Sequence, residues 1–316
     1  MSALSGLLEM LVICRDLMKE GQYPFSIEVV AGKPKLQVGL TGMPLAPHRT
    51  LREARDSDVV IVPSVMFEGD SWEPNRYPEE VRWLSDMHRR GAILCSACSG
   101  ALLLAEAGLL DGQETTSHWM LQRAFRELFP KVVLRLDREL VVSKDERMIM
   151  SGASTAWYDL ALYLISRFCG PATARSLAKF MMVQWHAEGQ TPYLPFDEAM
   201  SHGDRAVLEA QNWLREHWRD PNPVEGMITR SRLSPRNFAR RFRKATGHAP
   251  LAYVQKLRIE RAKQMMESTP HAIDEISAEV GYEDASFFRR IFKRTVGLKP
   301  ADYRRRVCLV RGSVGV

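Results

Sequence analysis

No apolar run in the 316 residues is long enough to cross a bilayer, and the longest, Ala101 to Leu110, is broken by Glu106. The opening residues lack the charged-then-apolar pattern of a secretory signal, so the expected compartment is the cytoplasm and no membrane partner is expected. Cysteine is scarce and irregular. Cys14, Cys95, Cys98, Cys169 and Cys308 are odd in number and follow no disulfide framework, which points to reduced thiols. Cys95 and Cys98 form a C-x-x-C, but no second C-x-x-C and no histidine pair accompanies it. No metal and no cofactor are expected on that ground, and Cys95 reads as a small buried hydrophobe inside a strand.

What is present is uneven. Residues 204–316 carry 23 of the 44 Lys+Arg and only 13 of the 38 Asp+Glu, a net of +10, against −4 for residues 1–203. A basic half joined to a slightly acidic half places an electrostatic footprint for nucleic acid on the C-terminal part alone. The first 170 or so residues alternate strand-like and helix-like segments. The strands are expected at Phe25–Ala31, Asp58–Pro63, Gly91–Ser96, Val132–Leu136 and Met148–Gly152, and the helices near 6–20, 78–90, 99–109, 117–128 and 155–168. Such alternation implies an α/β layer sandwich with a largely parallel sheet. It is unusual that the first recognisable element is already a helix. Residues 187–203 lack periodicity and hold two prolines and two glycines, so they read as a linker between a domain at 1–186 and one at 204–310, with 311–316 as a tail.

The C-terminal part contains itself twice. At an offset of 50 residues, Phe238 matches Phe288, Arg240 matches Arg290, Phe242 matches Phe292, Gly247 matches Gly297, Pro250 matches Pro300 and Tyr253 matches Tyr303. Each copy reads as helix, tight turn, helix. In the second, Ile273, Ile276 and Val280 form an apolar face, Gly281 supplies the turn and Asp284 is the expected N-cap. In the first, Ser234 is the expected cap and Pro235 the first helical residue. The phenylalanines sit four apart and face the core. Arg236, Asn237, Ala239, Arg240, Arg243 and Lys244 lie on other faces of the first such helix, and Ala285, Ser286, Arg289, Arg290 and Lys293 on those of the second. One basic face alone would read as solvated surface. Two at fixed spacing, joined by a long helix at about 249–267, suit paired major-groove contacts, with arginine bonding base edges and the remaining cations holding phosphates.

"AIDEISAEVGYEDASFFRRIFKRTVGLKPADYRR" closely resembles the DNA-binding domain of the AraC/XylS family, a resemblance that covers roughly the last 100 residues. It implies two helix-turn-helix units reading adjacent major-groove segments about 34 Å apart. The base readers it implies are Arg236, Ala239 and Arg240, then Ala285, Ser286, Arg289 and Arg290. The first unit departs from the pattern: Arg232 stands where the turn usually holds glycine, and Ile228 where alanine is usual. A positive φ there would cost energy.

"LCSACSGALLLAEAGLLDG" stops an apolar strand at Cys98 and begins a helix at once, the outline of a nucleophile elbow. A helix N-terminus favours a thiolate, and His118 in "ETTSHW" is the candidate dyad histidine. "SACSGALLLAEAGLLDGQETTSHW" resembles the class I glutamine amidotransferase-like superfamily in its PfpI-type branch, over about residues 5 to 185. The resemblance implies a flavodoxin-like parallel-sheet sandwich, followed here by an all-α domain with two helix-turn-helix units. That combination is itself a known architecture, that of amidotransferase-like AraC regulators, in which the first domain generally senses a ligand and dimerises. Known members respond to small amino acids and quaternary amines.

Three departures weigh against catalysis. Ser96 replaces the glycine two residues before the nucleophile. Ser64 and Val65 stand where enzymes of the family commonly place glycines of the oxyanion hole, a loss worth about 100- to 1000-fold in rate. Ser2-Ala3-Leu4 offers no supporting carboxylate before the first helix, and Glu9 falls inside it. The expectation is therefore a sequence-specific transcription regulator, not an enzyme. Its effector pocket is expected from Cys98, Ser99, His118, Ser64, Phe67, Trp72 and Trp119, with no metal. The expected partners are promoter DNA, a small-molecule effector and a second copy of the chain through the N-terminal domain, with RNA polymerase a further contact open to it. The alternatives are a cysteine-dependent amidohydrolase or a thiol redox sensor fused to the same DNA-binding module.

Overall fold

A computed structural model describes residues 2–18, 22–38, 42–66, 71–186 and 189–307, and the chain divides into two compact units, 1–190 and 191–316. The core of the first unit is a four-stranded sheet in the order β5-β6-β10-β9, formed by β5 (Val59–Val62), β6 (Ile93–Ala97), β10 (Met148–Ser151) and β9 (Leu140–Val142). Its first three strands are parallel, and β9 runs antiparallel to β10 at the edge. β6 and β10 are buried on both faces, which is why "ILCSA" and "MIMS" read as continuous apolar runs. On one face Val60, Leu94, Met148 and Met150 meet Leu84 and Met87 of α2 (Pro78–Arg89), Leu102 and Leu104 of α3 (Ala101–Glu106) and Phe125 of α4 (Gln122–Leu128). On the other, Cys95 and Ile149 meet Leu160 and Leu164 of α5 (Trp157–Cys169). An outer layer of α1 (Ser2–Asp16), α5 and α6 (Pro171–Phe180) closes over Leu7, Met10, Leu11 and Cys14. This is the expected α/β sandwich, and the described chain does open with a helix.

The strand expectations hold in part. Of Phe25–Ala31 only Val30–Ala31 (β1) forms, paired in parallel with β4 (Arg49–Thr50) outside the main sheet. Of Val132–Leu136 only β8 (Val133–Leu134) forms, beside β7 (Glu114–Thr115). The strand that joins the sheet instead is β9, which hairpins into β10. Its turn is held by Asp145, whose carboxylate accepts from the Ser143 hydroxyl and from the Arg147 N–H. β2 (Leu36–Val38) and β3 (Met43–Leu45) make a separate antiparallel pair.

The second unit is helical among its described residues: α7 (Arg205–His217), α8 (Pro223–Ser231), α9 (Pro235–Thr246), α10 (Pro250–Ser268), α11 (Ile273–Glu279), α12 (Ala285–Val296) and α13 (Pro300–Val307). It has two cores. One gathers Leu214, Met227, Phe238, Phe242 and Tyr253, the other Ile276, Val280, Phe288, Phe292 and Tyr303, so the repeated aromatics are the repeated cores. Arg232 ends α8 with φ 55 and ψ 26, the left-handed conformation that Gly281 takes at the matching turn with φ 82. Asp284 caps α12 through the Ser286 and Phe287 N–H groups. Ser234 takes the extended backbone of a cap, but its hydroxyl makes no capping bond, which corrects that expectation.

The segment read as a linker also needs correction. Gln190 is buried in the first unit, and from Thr191 the chain is packed on the second. Leu194 gives its carbonyl to Lys263, Glu198 gives its carbonyl to Tyr253 and Gln211, and Phe196 meets Tyr253 edge-on at 4.9 Å. Carbonyl acceptors and one aromatic ring anchor a segment that has no periodic pattern to reveal it.

Candidate functional site

β5, β6 and β10 end level with one another, with Val62 opposite Ser96 and Ser151 opposite Ala97. The carboxyl edge of a parallel sheet is where such folds hold ligands, and there the chain turns sharply into a short 3-10 turn, Cys98–Gly100. Cys98 sits at φ 55, a strained position for a non-glycine residue. Gly100 is required because a Cβ there would lie 2.4 Å from the Val62 carbonyl oxygen. The elbow is therefore present in form.

Its chemistry is subdued. Cys98 is only 5% exposed, and burial pushes its thiol up, although the hydroxyls of Ser64, Ser99 and Ser154 and the Ser99 N–H pull the other way. Desolvation thus outweighs the thiolate-favouring position. The Ser99 hydroxyl donates to the Val65 carbonyl at 2.8 Å and accepts from the Val65 N–H at 2.9 Å, so it ties two loops together and is spent. That bond also engages the Val65 N–H, which is then not free to hold an oxyanion. His118 is half-buried and makes no hydrogen bond to Cys98 among the described residues. Its Nδ1 instead accepts from the Met120 N–H at 3.2 Å, capping the next turn, and burial pushes its pKa down. The ring is therefore neutral, with its proton on Nε2. What docks the His118 segment onto the elbow is Ser117, whose hydroxyl donates to the Cys98 carbonyl at 2.8 Å.

The expected aromatics separate. Trp119 is half-buried beside His118, with ring centroids 5.3 Å apart. Trp72 belongs to the core instead: its indole N–H donates to Glu106 at 3.0 Å and its ring stacks on Tyr77, leaving its donor and most of its surface unavailable to a ligand. Phe67 lies outside the described residues. Ser64 is exposed at the rim.

A second constellation has no signature in the sequence. The donor atoms of Glu139, Asp159 and His186 lie within 4.8 Å of one another. His186 Nδ1 is 2.6 Å from Asp159 Oδ2, and its Nε2 is 2.8 Å from the Tyr158 hydroxyl, so both ring nitrogens share protons with oxygen partners. Glu139 accepts from the Ala153 N–H at 3.2 Å. Its carboxyl is pushed up to about 7, first by burial and then by the Asp159 charge, while His186 pulls it down. The chain from this cluster to the elbow is short. Gln190 Nε2 donates to the Ser117 carbonyl at 2.9 Å and to the Thr116 hydroxyl at 3.2 Å, and Gly152 is pressed between Gln190 and Glu139. Ser154, whose hydroxyl acts on the Cys98 thiol, lies two residues beyond Gly152.

In the helical unit, Arg236, Ala239, Arg240, Arg243 and Lys244 of α9 and Ser286, Arg289, Arg290 and Lys293 of α12 are exposed, with Asn237 and Ala285 half-buried. Asn237 accepts from Arg240 at 2.8 Å, Arg290 lies over the Phe287 ring at 5.1 Å, and Arg289 pairs with Asp274. Arg241, on the same helix, is not available to a ligand because it is bound to Asp204 through two nitrogens. No helix among the described residues is long and apolar enough to cross a membrane.

Comparison with known proteins matches both halves. The DJ-1/PfpI family model covers residues 8–167, and a helix-turn-helix domain model covers residues 227–306. The HTH-type transcriptional regulator CdhR of Pseudomonas aeruginosa is 28% identical over 243 residues, spanning 76% of this chain and 71% of its own. The regulator GbdR of the same species is 27% identical over 227 residues, spanning 72% of this chain but only 61% of its own length. Isonitrile hydratase of Pseudomonas putida is 30% identical over 181 residues, 54% of this chain and 73% of that enzyme. The chain belongs to the DJ-1/PfpI family and, through its AraC-type pair of helix-turn-helix units, is a DNA-binding transcription regulator.

Proposed function

We propose that the first unit is a sensor and not an enzyme: a small metabolite of the amino-acid or quaternary-amine class binds at the elbow, and a homodimer of the chain responds on promoter DNA. The observation that carries this reading is an elbow whose backbone is kept while its reactive parts are committed elsewhere. His118 caps Met120, the Val65 N–H is bonded to Ser99, and the thiol is raised by burial. Around the thiol stands a set of donors: the His118 Nε2–H, the exposed Ser64 and Ser154 hydroxyls and, buried beneath them, the Ser99 N–H. These suit a carboxylate, and the half-buried Trp119 ring is suited to a cationic end. The regulators CdhR and GbdR align over more than 70% of the chain, whereas isonitrile hydratase aligns over 54%. The dimer follows from matching protein symmetry to paired half-sites.

The test is thermal unfolding of the full chain against amino acids, betaines and polyamines, with Cys98→Ala in parallel. A ligand at about 100 times its Kd adds about 2.7 kcal/mol. The expected result is a stabilising ligand whose effect Cys98→Ala weakens. Turnover with a covalent adduct at Cys98 would overturn the reading.

A further inference from the structure

Arg258 lies midway along α10, the helix that joins the two helix-turn-helix units, and is 8% exposed. Its guanidinium makes three hydrogen bonds, all to main-chain carbonyls. Nε donates to Trp218 at 2.8 Å and Nη2 to Asp220 at 2.7 Å, both in the bend between α7 and α8 that leads into the first helix-turn-helix unit. Nη1 donates to Gly281 at 2.9 Å, in the turn between α11 and α12 of the second helix-turn-helix unit. The same group lies over the Tyr282 ring at 5.6 Å. Gly281 has φ 82, and a Cβ there would fall 2.9 Å from Arg258 Cζ, so the turn closes directly onto the cation.

The first acceptor sits at a further junction. Trp218 packs against both hydrophobic cores of the helical unit. Among the described residues Arg258 has no carboxylate partner in an ion pair, so the direct contacts of the cation are carbonyl oxygens and an aromatic face, with the Asp220 charge acting from a longer distance. A buried charge is tolerated only where its donors are satisfied. Here that condition is met only while both bends keep their places. A lysine has the charge but not the planar fork that reaches three acceptors in fixed directions.

We infer that Arg258 is a positioning residue for two-site DNA reading, one that sets the spacing and orientation of α9 relative to α12 without touching DNA. Two readers on a rigid frame gain from each other because the second contact is intramolecular, and a loosened frame forfeits that gain while each reader keeps its own affinity. Arg258 is the polar part of the frame, and the Trp218 ring is its apolar part.

The experiment uses the full chain and a duplex selected by the wild-type protein from a randomised library. Binding is measured to that duplex, to versions with either half scrambled, and to one with a single base pair inserted between the halves. Arg258→Lys is expected to lower affinity for the selected duplex by on the order of tenfold or more, to leave scrambled-half affinities within about twofold, and to shrink the penalty of the insertion. A cooperative melting transition serves as the check that the variant is folded. A folded Arg258→Lys that keeps wild-type affinity and spacing preference, or that loses whole-site and half-site binding equally, overturns the proposal. The wild-type protein alone gives a second arm: if it accepts the inserted base pair without loss, or selects only one short half, there is no fixed pair for Arg258 to position.

Discussion

At the residue scale, Glu139 and Asp159 are two buried carboxylates sharing one neighbourhood with His186, and they cannot both carry charge cheaply. The Asp159–His186 pair is bonded at 2.6 Å, so the uncompensated charge is that of Glu139. Its folded pKa is raised to about 7 from an ordinary 4.5. Below the ordinary value both folded and unfolded chains hold the proton, and the folded state is not penalised. Between the two values the folded chain keeps a proton that the unfolded chain has released, so stability falls as pH rises through this window. Glu139→Gln removes the titration. It is expected to flatten the decline and to gain on the order of 1–3 kcal/mol over wild type at pH 8, with little difference at pH 4. Urea unfolding of both proteins across that range checks this, and parallel pH profiles would sink it. Nothing in the sequence marked the cluster. Asp159 and His186 are 27 positions apart, on a helix and in an irregular segment, and no spacing rule joins them. The misplaced Trp72 has the same origin. An aromatic residue near a pocket motif is equally a core residue, and only the Glu106 and Tyr77 contacts decide between the two.

At the element scale, the parts that could be read are those whose signal is local and repeated. The elbow is one strand-turn-helix step, and the paired helix-turn-helix units announce themselves by matching Phe, Gly, Pro and Tyr at fixed intervals. What could not be read depends on partners distant in sequence. The stretch at Val132–Leu136 and the one at Leu140–Val142 are both short and apolar, and only pairing with β10 selects the second for the sheet. The segment after Gln190 lacks periodicity because it is held by Lys263, Tyr253 and Gln211 through its own carbonyls. The turn of the first helix-turn-helix unit is legible from chemistry, because Arg232 stands where the second copy has Gly281. Arg232 does occupy the left-handed region at φ 55, where a side chain costs about 1–2 kcal/mol. Arg232 is exposed, so replacing it removes little packing. Arg232→Gly is expected to stabilise the helical unit by about 1 kcal/mol after glycine's own entropy is counted. Denaturant unfolding followed in that unit would show the gain, and a loss of stability would mean the arginine side chain supports the turn.

At the scale of the whole molecule, the division of charge matches the division of labour. The net +10 of residues 204–316 draws on α9 and α12, which hold nine of its 23 Lys+Arg and no acidic residue, on positions other than those that build the two Phe-centred cores. Net charge of that sign supplies affinity for any duplex, and only the residues that reach base edges supply preference among sequences. The two contributions separate experimentally. Lys244 lies in the last turn of α9 and is read as a phosphate contact, whereas Arg290 lies in α12 and is read as a base contact. Each phosphate contact releases counterions, so log affinity falls linearly with log salt. Lys244→Ala is expected to reduce that slope by about 1 and to weaken specific and non-specific duplexes alike. Arg290→Ala is expected to cost about 1–3 kcal/mol on the specific duplex and to relax preference at the base it reads, with a smaller loss on random DNA. Mobility shifts of both variants on a selected and a scrambled duplex, across a range of salt, distinguish the roles. If the two variants lose specific and random binding in the same proportion, Arg290 holds the backbone and does not read a base. Sequence preference would then have to come from Ser286 and Arg289 of α12 or from α9, the reader whose supporting turn carries the strained Arg232.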